Sequence, residues 1–379
     1  MAQAAPPKVS PLYDPRWRSI AFQLLLCAVI VWLAYSAVTN AAENLARARI
    51  ASGFDFWHST AGFDISQHLI PYTTQSTYGQ AFWVGLLNTL LVSFLGIILA
   101  TIIGFIVGIL QLSKNVLVAK LAAGYVEVIR NLPLLLQLLF WYNAVLKALP
   151  MLRDSISIPG GVLLNNRGLF LPKPIFGTGF ETVPLALAAG VVGAFAFRAW
   201  AKRRQALTGQ QYPIFTVGAV LVLGLPLAAF ALSGAPVTFD FPEMGRFNIR
   251  GGIEILPEFA ALLFGLSIYT AAFIAEVVRA GIQAVPHGQT EAAYSLGLRP
   301  RPTLRLIVVP QAMRVIIPPL TNQYLNLTKN SSLAVAIGYP DLVQVFTGTV
   351  LNQTGQAVEV VAITMAVYLT ISLVTSGLM

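Results

Sequence analysis

The chain has 379 residues, of which 56% are apolar and only 10% charged, against roughly 25% charged in a typical soluble domain. That balance excludes a soluble globular protein and points to an all-α, polytopic membrane helix bundle. Lys and Arg number 24 against 15 Asp and Glu; in a membrane protein this surplus marks loops held on the cytoplasmic side and gives no reason to expect nucleic acid.

Met1 to Pro15 is rich in Ala and Pro and lacks the short apolar core and small-residue cleavage site of a secretory signal. It is expected to be a disordered cytoplasmic tail, within a first segment of residues 1–18. Ser19 to Ala42 carries no charge and is long enough to cross about 30 Å of hydrocarbon. An external loop, Ala41 to Gln80, leads to a second span at Ala81 to Leu112, where Gly104 and Gly108 stand in the G-x-x-x-G spacing of close helix packing. Asn88 and Thr89 near its start are secondary candidates for a solute path. A third hydrophobic region runs from Val116 to Leu149, with Glu127 and Arg130 near its start and Gln137 and Asn143 further on. Pro150 to Glu181 reads as Gly/Pro-rich connecting structure. Spans four to six follow at Thr182 to Trp200, Pro213 to Leu232 and Phe259 to Val278, with Glu276 and Arg279 spaced to pair on one helix face. Spans seven and eight are Val315 to Gly338 and Gln356 to Met379. This count of about eight spans puts fifteen Lys and Arg on the cytoplasmic side and eight outside if the N-terminus is inside. Cys27 is the only cysteine, and His58, His68 and His287 are far apart, so no metal site is expected.

Between spans six and seven lies a polar, basic island, Glu291 to Pro310. Ala292 and Ala293 favour helix and lack long side chains, while Gly297 permits the positive-φ turn that ends a helix. A short helix, a glycine turn and a second segment would form a compact knob able to lie against a partner. Glu291 is read as standing near the helix start, at the positive end of the dipole. Arg299, Arg301 and Arg305 fit topogenic charge.

The spacing of Glu291-Ala292-Ala293, Gly297, Ile307 and Pro310 resembles the EAA signature of ABC importer permeases, with Val309 where that pattern has Leu. Ala275 to Ile282, Pro310 to Arg314 and Lys329 to Ala334 resemble the polar amino-acid branch of that family. The resemblance implies a type I importer permease core in two parts, 81–149 and 258–379, the latter holding a coupling segment at 280–313. Residues 19–80 then form an extra N-terminal helix and periplasmic loop. Residues 150–257 form an insertion similar to that of the general L-amino-acid and glutamate/glutamine/aspartate/asparagine permeases. Implied partners are a dimer of ABC ATPase subunits, a second permease subunit, homologous or identical, a periplasmic solute-binding protein, an amino-acid substrate and the lipid bilayer. The implied location is the bacterial inner membrane, with the N-terminus cytoplasmic. The chain contains no G-x-x-x-x-G-K-[ST] loop and no Gly-Lys pair, so ATP and Mg are expected on the partner ATPase. No catalytic, cofactor-binding or metal-binding residue is expected here.

In span seven, Asn322, Asn326, Lys329 and Asn330 recur along one helix face. Counted at about 1.5 Å per residue, Lys329 sits near mid-depth, where a charge is costly unless it meets water, a partner or substrate. Two readings stay open: a structural pair with Glu276 or Asp341, or attraction for a substrate carboxylate beside the Asn326 and Asn330 amides. Pro318 and Pro319 are expected to interrupt the helix between knob and span seven. The rival class is an ion-coupled transporter using Lys329 and Glu276; the island argues against it. A membrane enzyme lacks a nucleophile, carboxylate pair or metal cluster in the spans.

Overall fold

The computed structural model describes residues 15–47, 52–245 and 248–378. Residues 1–14 of the expected tail, including Lys8, and the loop cations Arg49 and Arg246 lie outside them. In chain order, α1 (Pro15–Arg47) is followed by a 3-10 turn at Asp55–His58, α2 (Tyr78–Leu110), α3 (Val116–Asn131) and α4 (Leu134–Leu139), which continues as a π-helical stretch to Leu146. Strands β1 (Ile156–Ile158), β2 (Val162–Asn165), β3 (Gly168–Leu171) and β4 (Lys173–Phe176) lead to α5 (Thr182–Thr208), α6 (Ile214–Ala219) and α7 (Leu225–Leu232). Next come β5 (Val237–Asp240), β6 (Glu243–Met244), β7 (Ile249–Arg250) and β8 (Ile253–Ile255), then α8 (Pro257–Gln283), α9 (His287–Ser295), α10 (Pro300–Thr303) and α11 (Val309–Asn330). A 3-10 stretch (Ser331–Ile337), a π-helical stretch (Val343–Val350), α12 (Leu351–Thr354) and α13 (Ala357–Leu378) complete the described chain.

Among the described residues, seven helices are long and apolar enough to cross a membrane. The third hydrophobic region, expected as one run, is broken. Leu132 takes an extended backbone (φ −91°, ψ 131°) because Pro133 crowds the helical region of the residue before it. Taken as one span, this broken pair makes an eighth. By contrast, Pro318 and Pro319 do not interrupt α11, which runs on through both. Neighbouring structure and water can take up the backbone groups that proline frees.

The chain divides into two compact units, residues 1–135 with 265–379, and residues 136–264. In the first, α2 starts on a capping box: Thr77 Oγ1 accepts from the Gln80 amide and Gln80 Oε1 accepts from the Thr77 amide. A row of small residues then lets α2 meet its neighbours at backbone distance. A Cβ added at Gly104 would stand 2.6 Å from Ile274, and one at Gly108 2.7 Å from the Ala275 carbonyl, so the G-x-x-x-G pair packs on α8. Beyond the start of α2, Phe56, Phe82 and Phe346 form an aromatic core with Trp57, the Phe82 and Phe346 rings 5.2 Å apart. The 52–77 loop therefore contributes to the core as well as connecting spans.

The second unit departs from the loop reading of Pro150 to Glu181. β1, β2, β3 and β8 form an antiparallel four-stranded sheet in that order, while β4 pairs with β5 and β6 with β7. These strands have two to four residues, too few for alternation to register in sequence. β3 finds β8 only across the helices between them, with Phe170 opposite Glu254. The helices of this unit, α5 and the α6–α7 return, form a hairpin drawn tight where a Cβ on Gly190 would lie 2.3 Å from the Leu221 carbonyl.

Candidate functional site

The polar island folds as a helix, a glycine turn and the foot of a long helix. α9 ends in a Schellman-type cap: the Gly297 amide donates to the Tyr294 carbonyl and the Leu298 amide to the Ala293 carbonyl, with Gly297 at φ +78°. That left-handed conformation strains any residue with a Cβ, although open space surrounds the position. The second segment begins at Pro300 and continues through a π-helical turn, Leu304–Val308, into α11. Gln311 Nε2 donates to Gln289 Oε1 at 3.2 Å and ties α9 to α11.

The three EAA residues part company in this geometry. Ala293 is buried at 1% exposure, so its small side chain serves the protein's own packing. Glu291 and Ala292 face outward. Glu291 lies beyond the first turn of α9, which holds no acidic residue, so the expected dipole stabilisation does not apply; the effect fades within one turn. Ile307 is half-buried inside the π-helical turn, and Pro310 stands exposed just beyond it, where the continuous helix passes from π to α geometry and forgoes one amide bond. Sequence reasoning missed two exposed apolar side chains beside the cap, Tyr294 and Leu296, the latter 82% exposed. Their signal was present: they are the large apolar residues between Glu291 and Gly297.

Close to the same end of the bundle, a cavity of about 570 Å³ is lined by Glu127, Arg130, Glu276, Arg279 and the amides Gln111 and Gln283, among others. Arg279 Nε donates to Glu276 Oε2 at 3.1 Å, and its Nη1 donates to Gln283 at 2.7 Å. Arg130 stacks 5.1 Å over the Phe273 ring. Two similar runs, Glu127-Val128-Ile129-Arg130 and Glu276-Val277-Val278-Arg279, thus bring their charges to one space. Their matching E-V-x-R pattern was the available sequence signal.

The span-seven polar face is not gathered into one site. Asn322, Asn326 and Lys329 are exposed and Asn330 is half-buried. Lys329 is the penultimate residue of α11, where a cation favours the helix end. It lines a cavity of about 440 Å³ with Ser332, Val343, Thr364, Met365 and Tyr368, and none of the three asparagines lines it. The ion pairs among the described residues are Arg47–Glu43 and Arg279–Glu276, so the proposed structural pairing of Lys329 with Glu276 or Asp341 is not made.

Asn88 and Thr89 staple α2 to the segment after the 3-10 stretch. Asn88 Nδ2 donates to the Gln67 and Pro340 carbonyls at 2.8 and 2.9 Å. Tyr339 Oη donates to the Asn88 carbonyl, and the Leu342 amide to Thr89 Oγ1 at 2.9 Å. All but the half-buried Gln67 are buried, which makes this seam structural. Beside it, fully buried Asp341 accepts from the Gln344 amide at 2.8 Å. Burial pushes its carboxyl up to about 7, against amide hydrogen bonds that pull it down. Gln137 is also buried, while Asn143 is exposed and donates to the Leu139 carbonyl.

A multi-span helical bundle with a capped knob defines a membrane-embedded transport component. Residues 100–379 match the family described as binding-protein-dependent transport system inner membrane component, and the chain belongs to that family. It is 54% identical over 367 residues to the general L-amino acid transport system permease protein AapQ of Rhizobium johnstonii, spanning 97% of this chain and 92% of that one. It is 44% identical over 403 residues to the glutamate/glutamine/aspartate/asparagine transport system permease protein BztB of Rhodobacter capsulatus, spanning 97% and 93%. The chain is therefore a permease subunit of an ABC transporter and not itself an enzyme.

Proposed function

We propose that this permease admits polar L-amino acids into the cell, and that separate ATPase subunits drive it through residues 280–313. One observation carries the coupling reading: α9 keeps Ala293 for internal packing and turns Glu291, Ala292, Tyr294 and Leu296 outward. Such a mixed apolar and acidic face, held by a rigid cap, suits seating in a cleft of another protein. Force applied to α9 reaches α11, the helix that carries Lys329, through the Gly297 turn, α10 and the π-helical turn Leu304–Val308, and across the Gln311–Gln289 hydrogen bond.

ATP and Mg belong to the ATPase dimer in this reading. ATP-driven closure of that dimer would draw the knobs of two permease chains together and open the bundles toward a docked solute-binding protein; hydrolysis would reverse the motion. Lys329 attracts the substrate carboxylate during passage, and Asn322, Asn326 and Asn330 line the approach with amides. The amino-acid class rests on what the two named relatives carry. The N-terminus is cytoplasmic and the membrane is the bacterial inner membrane, supported by the fifteen-to-eight division of Lys and Arg. Residues 150–257 are an insertion between the two parts of the core.

The test is reconstitution with ATPase and binding-protein subunits, followed by ATP-driven uptake across a panel of amino acids. Gly297→Pro, which cannot hold φ +78°, is expected to abolish uptake while ATP hydrolysis continues. Ala292→Trp, an exposed change, is expected to weaken ATPase association without unfolding the chain. Lys329→Ala is expected to raise the substrate concentration required for uptake. Normal uptake by Gly297→Pro overturns the coupling reading, and unaltered uptake by Lys329→Ala overturns the path.

A further inference from the structure

We propose that the α5–α7 hairpin holds one anionic phospholipid in the groove between its two arms, with the headgroup on Arg198 and Lys202. The groove measures about 700 Å³ and is lined almost wholly by apolar surface. Along α5, Val191, Phe195, Arg198 and Lys202 recur on one face, apolar at the deep end and cationic at the mouth. Phe215, Gly218 and Val222 of the return arm line the opposite wall. From Val191 to Lys202 the groove is about 16 Å long at the helical rise, close to half the ~30 Å hydrocarbon thickness. That length suits an acyl chain of a single leaflet.

Two independent features fix the headgroup level and its charge. Trp200 and Tyr212 pack 5.0 Å apart, with Arg204 5.9 Å over the Trp200 ring; neither ring lines the groove, so they mark its depth and not its wall. Aromatic pairs of this kind sit at the membrane–water boundary, and Arg198 and Lys202 stand only two residues to either side of Trp200. The last three turns of α5 carry Arg198, Lys202, Arg203 and Arg204, while no Asp or Glu occurs anywhere from Thr182 to Phe239. Basic pockets between spanning helices take anionic headgroups, and nothing within this hairpin neutralises the cations. An apolar groove continuous with them selects a lipid over a free anion.

Native mass spectrometry of the full chain, titrated with phosphatidylglycerol and phosphatidylcholine of identical acyl chains, tests this. The expected result is one retained phosphatidylglycerol, preferred roughly twenty-five-fold over phosphatidylcholine, from about fivefold for each of the two cations. Arg198→Ala with Lys202→Ala is expected to bring the two lipids to parity, and Arg198→Lys with Lys202→Arg to restore the preference. Gly218→Phe, which fills the groove, is expected to lower retention of both, with circular dichroism unchanged. Equal retention by the wild type, or an unaltered preference in the double alanine variant, overturns the site. Displacement by millimolar inorganic phosphate overturns it in favour of a free-anion site. A photocrosslinker at Phe215 that captures protein in place of lipid, in the assembled transporter, overturns it in favour of a subunit contact.

Discussion

α8 and the α5–α7 hairpin are both apolar enough to span a membrane, yet they do opposite things with that surface. Of the most apolar stretch of each, 61% of α8 is buried inside the protein, against 6% of α5 and none of Ile214–Leu232. Apolarity alone therefore makes a span; it does not make a core. In lipid, apolar side chains gain little by leaving the bilayer for a neighbour, so association depends on close packing and on polar groups that need partners. α2 supplies both to the first unit, through its small residues and the Asn88–Thr89 seam. The hairpin meets closely at Gly190 and then leaves a groove.

The sharpest test of that contrast places the same substitution in both regions. Gly108→Leu drives a side chain into the Ala275 carbonyl and Val278 and is expected to cost about 3 kcal/mol, the upper end for overpacking. Gly218→Leu meets only Ala194, at 3.8 Å from the added Cβ, and is expected to leave the thermal midpoint unchanged. Equal loss from both would show that the hairpin is packed as tightly as the core. Asn88→Leu strands the buried Pro340 carbonyl and the half-buried Gln67 carbonyl, at about 2 kcal/mol, read as thermal destabilisation of the purified chain.

Asp341 adds a pH dependence that the hairpin, with no carboxylate, cannot show. Its folded value of about 7 lies above the ordinary 3.8, so the unfolded chain releases this proton first as pH rises. Its stabilising contribution is full below about pH 4 and is lost on the way up to about 7. The thermal midpoint should fall from pH 5 to pH 8, and Asp341→Asn should flatten that slope; an equal slope in the variant would remove Asp341 as the cause. The smallest effect is expected at Glu276→Gln. This pair is about one-third exposed on both sides, so solvent screening holds its loss to roughly 0.5 kcal/mol or less. Any large change there should appear in transport and not in melting.

The span count held because each span is a local property of about twenty residues. What it did not show is the break inside Val116 to Leu149, where composition stays apolar across Pro133 and only the backbone preference of Leu132 marks the bend. The Gly297 turn was legible because a single residue carries its cause: a left-handed backbone at the end of a short helix. The division of labour within Glu291-Ala292-Ala293 was not, since which alanine faces the protein depends on where α9 begins and what lies beneath it.

Sequence by itself determined that this chain crosses a membrane several times, carries a capped basic island and brings no nucleotide loop of its own. Those follow from composition, local spacing and single-residue backbone rules. Tertiary structure alone decided that Phe170 lies opposite Glu254, that two E-V-x-R runs share one cavity, and that Lys329 lines a cavity its neighbouring asparagines do not. Each of these joins residues whose separation in the chain, or whose side-chain direction, no local propensity records; packing brought them together or kept them apart.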